Sequence, residues 1–113
     1  MTNIISYKDF ENLDIRVGTI ISAQENYELK KPSIILEIDF GKEIGIKKSS
    51  AQLTKNYKSN DLIKRQVAAV VNFQTKQIGN FVSEVLVLGF PDDHNEPVIV
   101  EPSRSVPNGG KLY

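Results

Sequence analysis

Few places in this chain have the residue types that chemistry requires. Asp92-Asp93-His94-Asn95-Glu96 gathers carboxylates around the single histidine, a grouping that could move protons or hold a cation. Adjacent loop residues point apart, however, and the chain has no cysteine and no second histidine to complete a ligand set, so the segment reads as a solvated loop. Ser49-Ser50 could offer a nucleophilic hydroxyl, but no histidine lies near in sequence to activate it, and a pair of serines here is expected to cap the start of a short helix. The spacings GxxxxGK[ST], GxGxxG and GxSxG are all missing. The residues therefore imply no catalysis, no metal and no cofactor, and binding is the expected mode of action.

What could be bound depends on charge and apolar surface. The 14 basic and 14 acidic residues cancel, which argues against a generally basic nucleic-acid binder, but they are unevenly spread. Lys42, Lys47, Lys48, Lys55, Lys58, Lys64, Arg65 and Lys76 fall in the middle third against only Glu43 and Asp61, while both ends are net acidic. A basic face within a neutral whole is the expectation. Lys47 and Lys48 sit at alternating strand positions, so at least one should project from the surface, where lysine can hold phosphate as a point charge. Phe73 and Phe81 flank a polar loop and could stack bases, although filling the core is the first expectation for both.

The elements that must position these residues can be read from periodicity. Ser6-Tyr7-Lys8-Asp9 has the spacing of a capping box, and a short helix to about Leu13 follows. Asp14 to Gln24 is rich in β-branched residues and should be a long strand, with Gly18 marking a bend or bulge. Ser33 to Phe40 alternates, placing Ile34, Leu36, Ile38 and Phe40 on one face. Gly41-Lys42 is expected to turn into a third strand over Glu43 to Lys48 with Ile44 and Ile46 inward, and Ser50 to Tyr57 to form the next helix. Val67 to Phe73 and Phe81 to Gly89 supply two more strands around the polar loop Gln74 to Asn80. Val98 to Val100 and the Pro107-Asn108-Gly109-Gly110 turn make a C-terminal extension.

This order predicts an all-β chain: a five-stranded Greek-key barrel of the OB type with a short N-terminal helix, a helix between strands 3 and 4, and a C-terminal strand and tail. At 113 residues with 40% apolar content, a single domain over residues 1–113 is expected. No apolar run is long enough to cross a bilayer, and the segment Met1 to Ser6 lacks the basic start of a secretory signal, so a cytoplasmic protein without membrane insertion is expected.

Several segments resemble a known family. Asp9-Phe10-x-x-Leu13-Asp14-Ile15-Arg16-Val17-Gly18-Thr19-Ile20 is similar to the opening of the tRNA-binding domain, which occurs alone or appended to methionyl-tRNA synthetase and to phenylalanyl-tRNA synthetase β chains. Val70-Val71-Asn72-Phe73 resembles that family's fourth strand and Val106-Pro107-Asn108-Gly109 its closing turn. Ile44 to Gln52 and Ser83 to Gly89 look like the CsaA branch of export-related chaperones. The resemblance implies an OB-fold homodimer that binds unfolded, export-competent preproteins, with tRNA binding as the alternative.

Where tRNA-binding members carry a basic K-P-R-K-x-R-G loop followed by S-Q-G-M, this chain has Gln74-Thr75-Lys76-Gln77-Ile78-Gly79-Asn80 and then Ser83-Glu84-Val85-Leu86. Fewer phosphate contacts weaken the counterion-release contribution to RNA binding. An RNA site would rest on Lys47, Lys48, Asn72, Lys76 and Ser83. The replacements favour instead an apolar groove for peptides, formed by Phe73, Ile78, Phe81, Val85 and Leu86. The apolar N-terminal helix (Phe10, Leu13) and the Val98 to Leu112 tail are expected to make the dimer contact.

Overall fold

The alternation between Ser33 and Phe40 decides where the core lies. Ile34, Leu36, Ile38 and Phe40 are each fully buried, so one whole face of this strand points inward. The structure is a computed structural model that describes residues 3–28 and 30–113; Met1 and Thr2, where the signal-peptide reading begins, lie outside them. Around that strand, β2 (Ser33–Asp39), run β1 (Ile15–Asn26), β3 (Ile46–Ala51), β4 (Gln66–Val70) and, further along the chain, the short β7 (Leu86–Val87). They form one antiparallel sheet in the order β3-β2-β1-β4-β7. Ile20, Leu53, Leu62, Val67, Ala69, Val85 and Ile99 complete the core within the curl of this sheet. This is the expected OB-like all-β architecture.

A curled five-stranded sheet still has two edges, β3 and β7. Here they are brought together by the segment 83–85. The Glu84 N–H donates to the Lys48 carbonyl at 2.8 Å, the Glu84 carboxylate accepts from the Lys48 N–H at 2.9 Å, and Ser83 Oγ accepts from the Ser50 N–H at 3.1 Å. Ser49 Oγ donates to the Val85 carbonyl at 2.9 Å from a buried position. Side chains thus supply the partners that a regular ladder would have provided, which buried backbone groups require.

The N-terminal helix α1 (Tyr7–Glu11) begins with the expected capping box, both Ser6 and Asp9 bonding the other's backbone. Other expectations are corrected. The bulge in β1 falls between Ile20 and Ser22, not at Gly18. Gly18 instead permits close approach: a Cβ there would lie 2.6 Å from Ile38 Cγ2 and 2.7 Å from Phe40 Cδ1. β3 starts three residues later than Glu43, because a wider turn, with the Gly45 N–H donating to the Gly41 carbonyl at 2.7 Å, replaces the two-residue one. The shift leaves Ile44 packed against the core but Ile46 exposed on the outer face.

Ser49 and Ser50 consequently lie within β3 and do not cap a helix. Leu53 and Tyr57 do share a turn through the Tyr57 N–H and Leu53 carbonyl, but the linking helix is α2 (Ser59–Leu62) and starts at Lys58 without a side-chain cap. β4 ends at Val70, so Phe73 is outside it and half exposed; neither Phe73 nor Phe81 belongs to the core.

The last long strand is divided. The loop Gln74 to Asn80 contains β5 (Lys76–Ile78), paired with β6 (Phe81–Ser83) in a hairpin, and β8 (Gly89–Pro91) pairs with β9 (Pro97–Ile99) beyond β7. The C-terminal tail runs back along β1, the Gly109 and Leu112 N–H groups donating to the Val17 and Ile15 carbonyls. No described helix is long and apolar enough to cross a membrane.

Because side chains of β2 and of Phe40 just beyond it occupy the space above Gly18, Gly18→Ala should destabilise the fold by about 1–3 kcal/mol through forced displacement of Ile38 and Phe40. Urea denaturation is the check: the midpoint should fall with the slope unchanged. A midpoint equal to the parent's would mean that the packing yields freely at this point.

Candidate functional site

The β5–β6 hairpin is built by local sequence. Gly79 has φ +61°, a left-handed conformation that glycine adopts readily, and with Asn80 it makes a two-residue connection between the paired Ile78 and Phe81. The hairpin stands over the point where β3 meets the segment 83–87, leaving a groove of about 200 Å³. Phe73, Ile78, Val85 and Leu86 line it, together with Ser50, Gln74, Lys76, Ser83 and Glu84. Val85 is almost fully buried and forms part of the core beneath the groove, whereas half of Phe73 and of Leu86 stands open to solvent. An apolar surface left open in this way is suited to another chain's apolar side chains.

Four of the five residues assigned to a peptide groove are therefore brought together. Phe81 is not among them. It borders a separate hollow of about 580 Å³ that it shares with Gln24, Glu25, Tyr27 and Ile35, although it is the cross-strand partner of Ile78.

The residues assigned to RNA are more dispersed. Lys76 and Ser83 are cross-strand partners and both line the groove. The Ser83 hydroxyl, however, is occupied as the acceptor from Ser50 N–H. Lys48 is exposed opposite Glu37, while Lys47 lies opposite the inward Ile38, so the two lysines leave β3 on different faces. The Asn72 side chain ties down the entry to β1: its Oδ1 accepts from Asp14 N–H at 3.0 Å and its Nδ2 donates to the Asn12 carbonyl at 2.8 Å.

Glu84, which the sequence shows only as one of the replacements after the loop, is in the structure a groove wall and a closing bond of the barrel at once. No local pattern could have revealed this, since its partner lies 36 residues away. The acidic loop also differs from a ligand set. The Asp92 carboxylate accepts from the Glu96 and His94 N–H groups and from Asn56 Nδ2, and these bonds, that from Glu96 foremost, hold it below the usual carboxylate range. It organises its own turn.

A second apolar concavity, of about 410 Å³, opens between β1 and the C-terminal tail and is lined by Ile15, Val17, Val106, Pro107 and Leu112. Arg16 braces it, pairing with Asp14 and Glu43 and donating to the Gly109 carbonyl at 2.8 Å. Lys111 Nζ donates to the Glu11 carbonyl, joining tail to helix α1. Ile4, Ile5, Tyr7, Val106, Leu112 and Tyr113 all carry exposed apolar surface at these two termini.

Comparison with known proteins agrees with this geometry. A family model described as "Putative tRNA binding domain" matches residues 15–111. The crystal structure of the chaperone CsaA from Bacillus anthracis str. Ames superposes with a TM-score of 0.92 at 47% identity, covering 98% of this chain and 100% of that one. The CsaA chaperone protein from Picrophilus torridus gives 0.89 at 46% identity, covering 97% and 100%. Methionine–tRNA ligase of Pyrococcus horikoshii is 31% identical over 108 residues, which are 96% of this chain but 14% of the ligase. The chain thus spans about one seventh of the curated ligases it matches.

Proposed function

Since this chain belongs to the tRNA-binding-domain family, we propose that it works by binding and without catalysis, as a cytosolic homodimeric chaperone of the CsaA type that holds unfolded, export-competent preproteins. The observation that carries this reading is the groove under the β5–β6 hairpin, where Phe73, Ile78 and Leu86 offer apolar surface outside the core cluster. An extended chain can lay alternate apolar side chains into such a groove while its other side chains stay in water. The likeness to two CsaA chaperones at 46% and 47% identity over their whole lengths supports the same reading.

Binding of tRNA is the second reading, favoured by the family match and by Lys76 at the groove. Its weakness is electrostatic. Counterion release grows with the number of phosphates neutralised, and of the proposed set Lys47 and Lys48 diverge while Asn72 and Ser83 are held by internal hydrogen bonds.

Dimerisation belongs to the proposal because the exposed apolar residues Val106, Leu112 and Tyr113 of the tail line an open concavity beside β1, and a two-fold axis would let each copy cover the other's. At micromolar concentration the protein should sediment at twice the 12.7 kDa of one chain, and a particle of 12.7 kDa would contradict this part. The groove has its own test. Ile78→Ser, which removes the apolar side chain without adding charge, should weaken binding of a denatured preprotein about tenfold and leave any tRNA binding nearly unchanged, with Lys76→Ala doing the reverse. If folded Ile78→Ser bound preprotein as the parent does while Lys76→Ala abolished that binding, RNA recognition would become the better reading.

A further inference from the structure

Glu84 is a carboxylate set into the wall of a groove whose other lining is apolar (Phe73, Ile78, Val85, Leu86) or, Lys76 aside, uncharged. Its Oε1 is fixed by the Lys48 N–H at 2.9 Å, and no described residue donates a hydrogen bond to its other oxygen or forms an ion pair with it. We propose that this second oxygen selects the ligand, so that the groove prefers an extended peptide carrying a lysine or arginine among its apolar residues. The inference rests on the peptide-binding reading above and adds the charge of the peptide to it.

The sign of the preference follows from how the two charges at the groove are held. Lys76 is exposed on a flexible stem, so its attraction for an anion is screened and opposed by loss of side-chain entropy. Glu84 is half-buried and held by its backbone bond, so a ligand cation would meet a fixed charge next to apolar walls. A long basic side chain also suits the place, since its methylenes can lie against Leu86 or Phe73 while its head reaches the carboxylate. The same fixed anion disfavours a phosphate, which gives the groove a means of rejecting nucleic acid.

The test uses three synthetic ten-residue peptides of one apolar sequence, differing only in a central Lys, Gln or Glu, titrated against the intact protein and Glu84→Gln by fluorescence anisotropy. The Gln side chain keeps an oxygen for the Lys48 N–H, so the fold should persist, and a thermal melt alongside each titration checks that it does. With the parent protein the Lys peptide should bind about three- to fivefold more tightly than the Gln peptide, the Glu peptide more weakly than either, and the spread should shrink in 0.5 M salt. In Glu84→Gln the ratio of Lys-peptide to Gln-peptide affinity should fall to about one, whatever the shift in the two affinities together. A Lys preference that survives in folded Glu84→Gln, or a Glu peptide that binds best, would overturn the inference but leave the apolar groove standing. Failure of all three peptides to bind the parent would overturn the peptide reading and this inference with it.

Discussion

The structure depends on how the barrel closes where its strands do not pair. β3 and β7 are the free edges of the sheet, and Ser49, Ser83 and Glu84 join them with side-chain hydrogen bonds in place of a continuous ladder. Without those partners, the Lys48 and Ser50 amides would present an unpaired edge, open to other chains. The β5–β6 hairpin is held over this junction through Ser83, which ends β6 and bonds back to β3. Closure and groove are therefore made by the same few residues. An irregular junction leaves side chains standing in place of a flat ladder, and the space beneath the hairpin is what the groove occupies.

Placement also decides which charges matter. A neutral chain with eight basic residues in its middle third could have formed one basic face. The fold instead sends Lys47 and Lys48 to opposite sides of β3 and uses Arg16 to brace the C-terminal tail. The groove keeps one solvated lysine and one anchored carboxylate, a poor match for a polyanion and a better one for a mostly apolar chain.

Much of the fold was legible because its signals are local. The capping box of α1 and the alternation of β2 each lie within a few residues and reappear in the structure as read. The start of β3 was misplaced because Ile44 and Ile46 mimic strand alternation across what is a wide turn. The β5–β6 hairpin reads as a loop in the sequence because Gln74 to Asn80 is polar apart from Ile78 and gives no hydrophobic period; only Gly79-Asn80, a hairpin dipeptide, points to it. For the candidate groove, apolar side chains and family resemblance together located Phe73, Ile78, Val85 and Leu86. Phe81, the cross-strand partner of Ile78, lies instead beside a separate hollow. The bonding of Asn72 to residues 12 and 14, and of Glu84 to Lys48, arises from contacts 36 or more residues apart and has no imprint in local pattern.

The central claim is that the surface under the β5–β6 hairpin binds an extended, mostly apolar chain. Hydrogen exchange of the intact protein with and without a denatured preprotein measures this residue by residue. The account predicts slower exchange concentrated in residues 76–78 and 83–87, with β8 and β9 unchanged. Protection confined to β8 and β9, or none at the hairpin under conditions where the preprotein is fully bound, would contradict it.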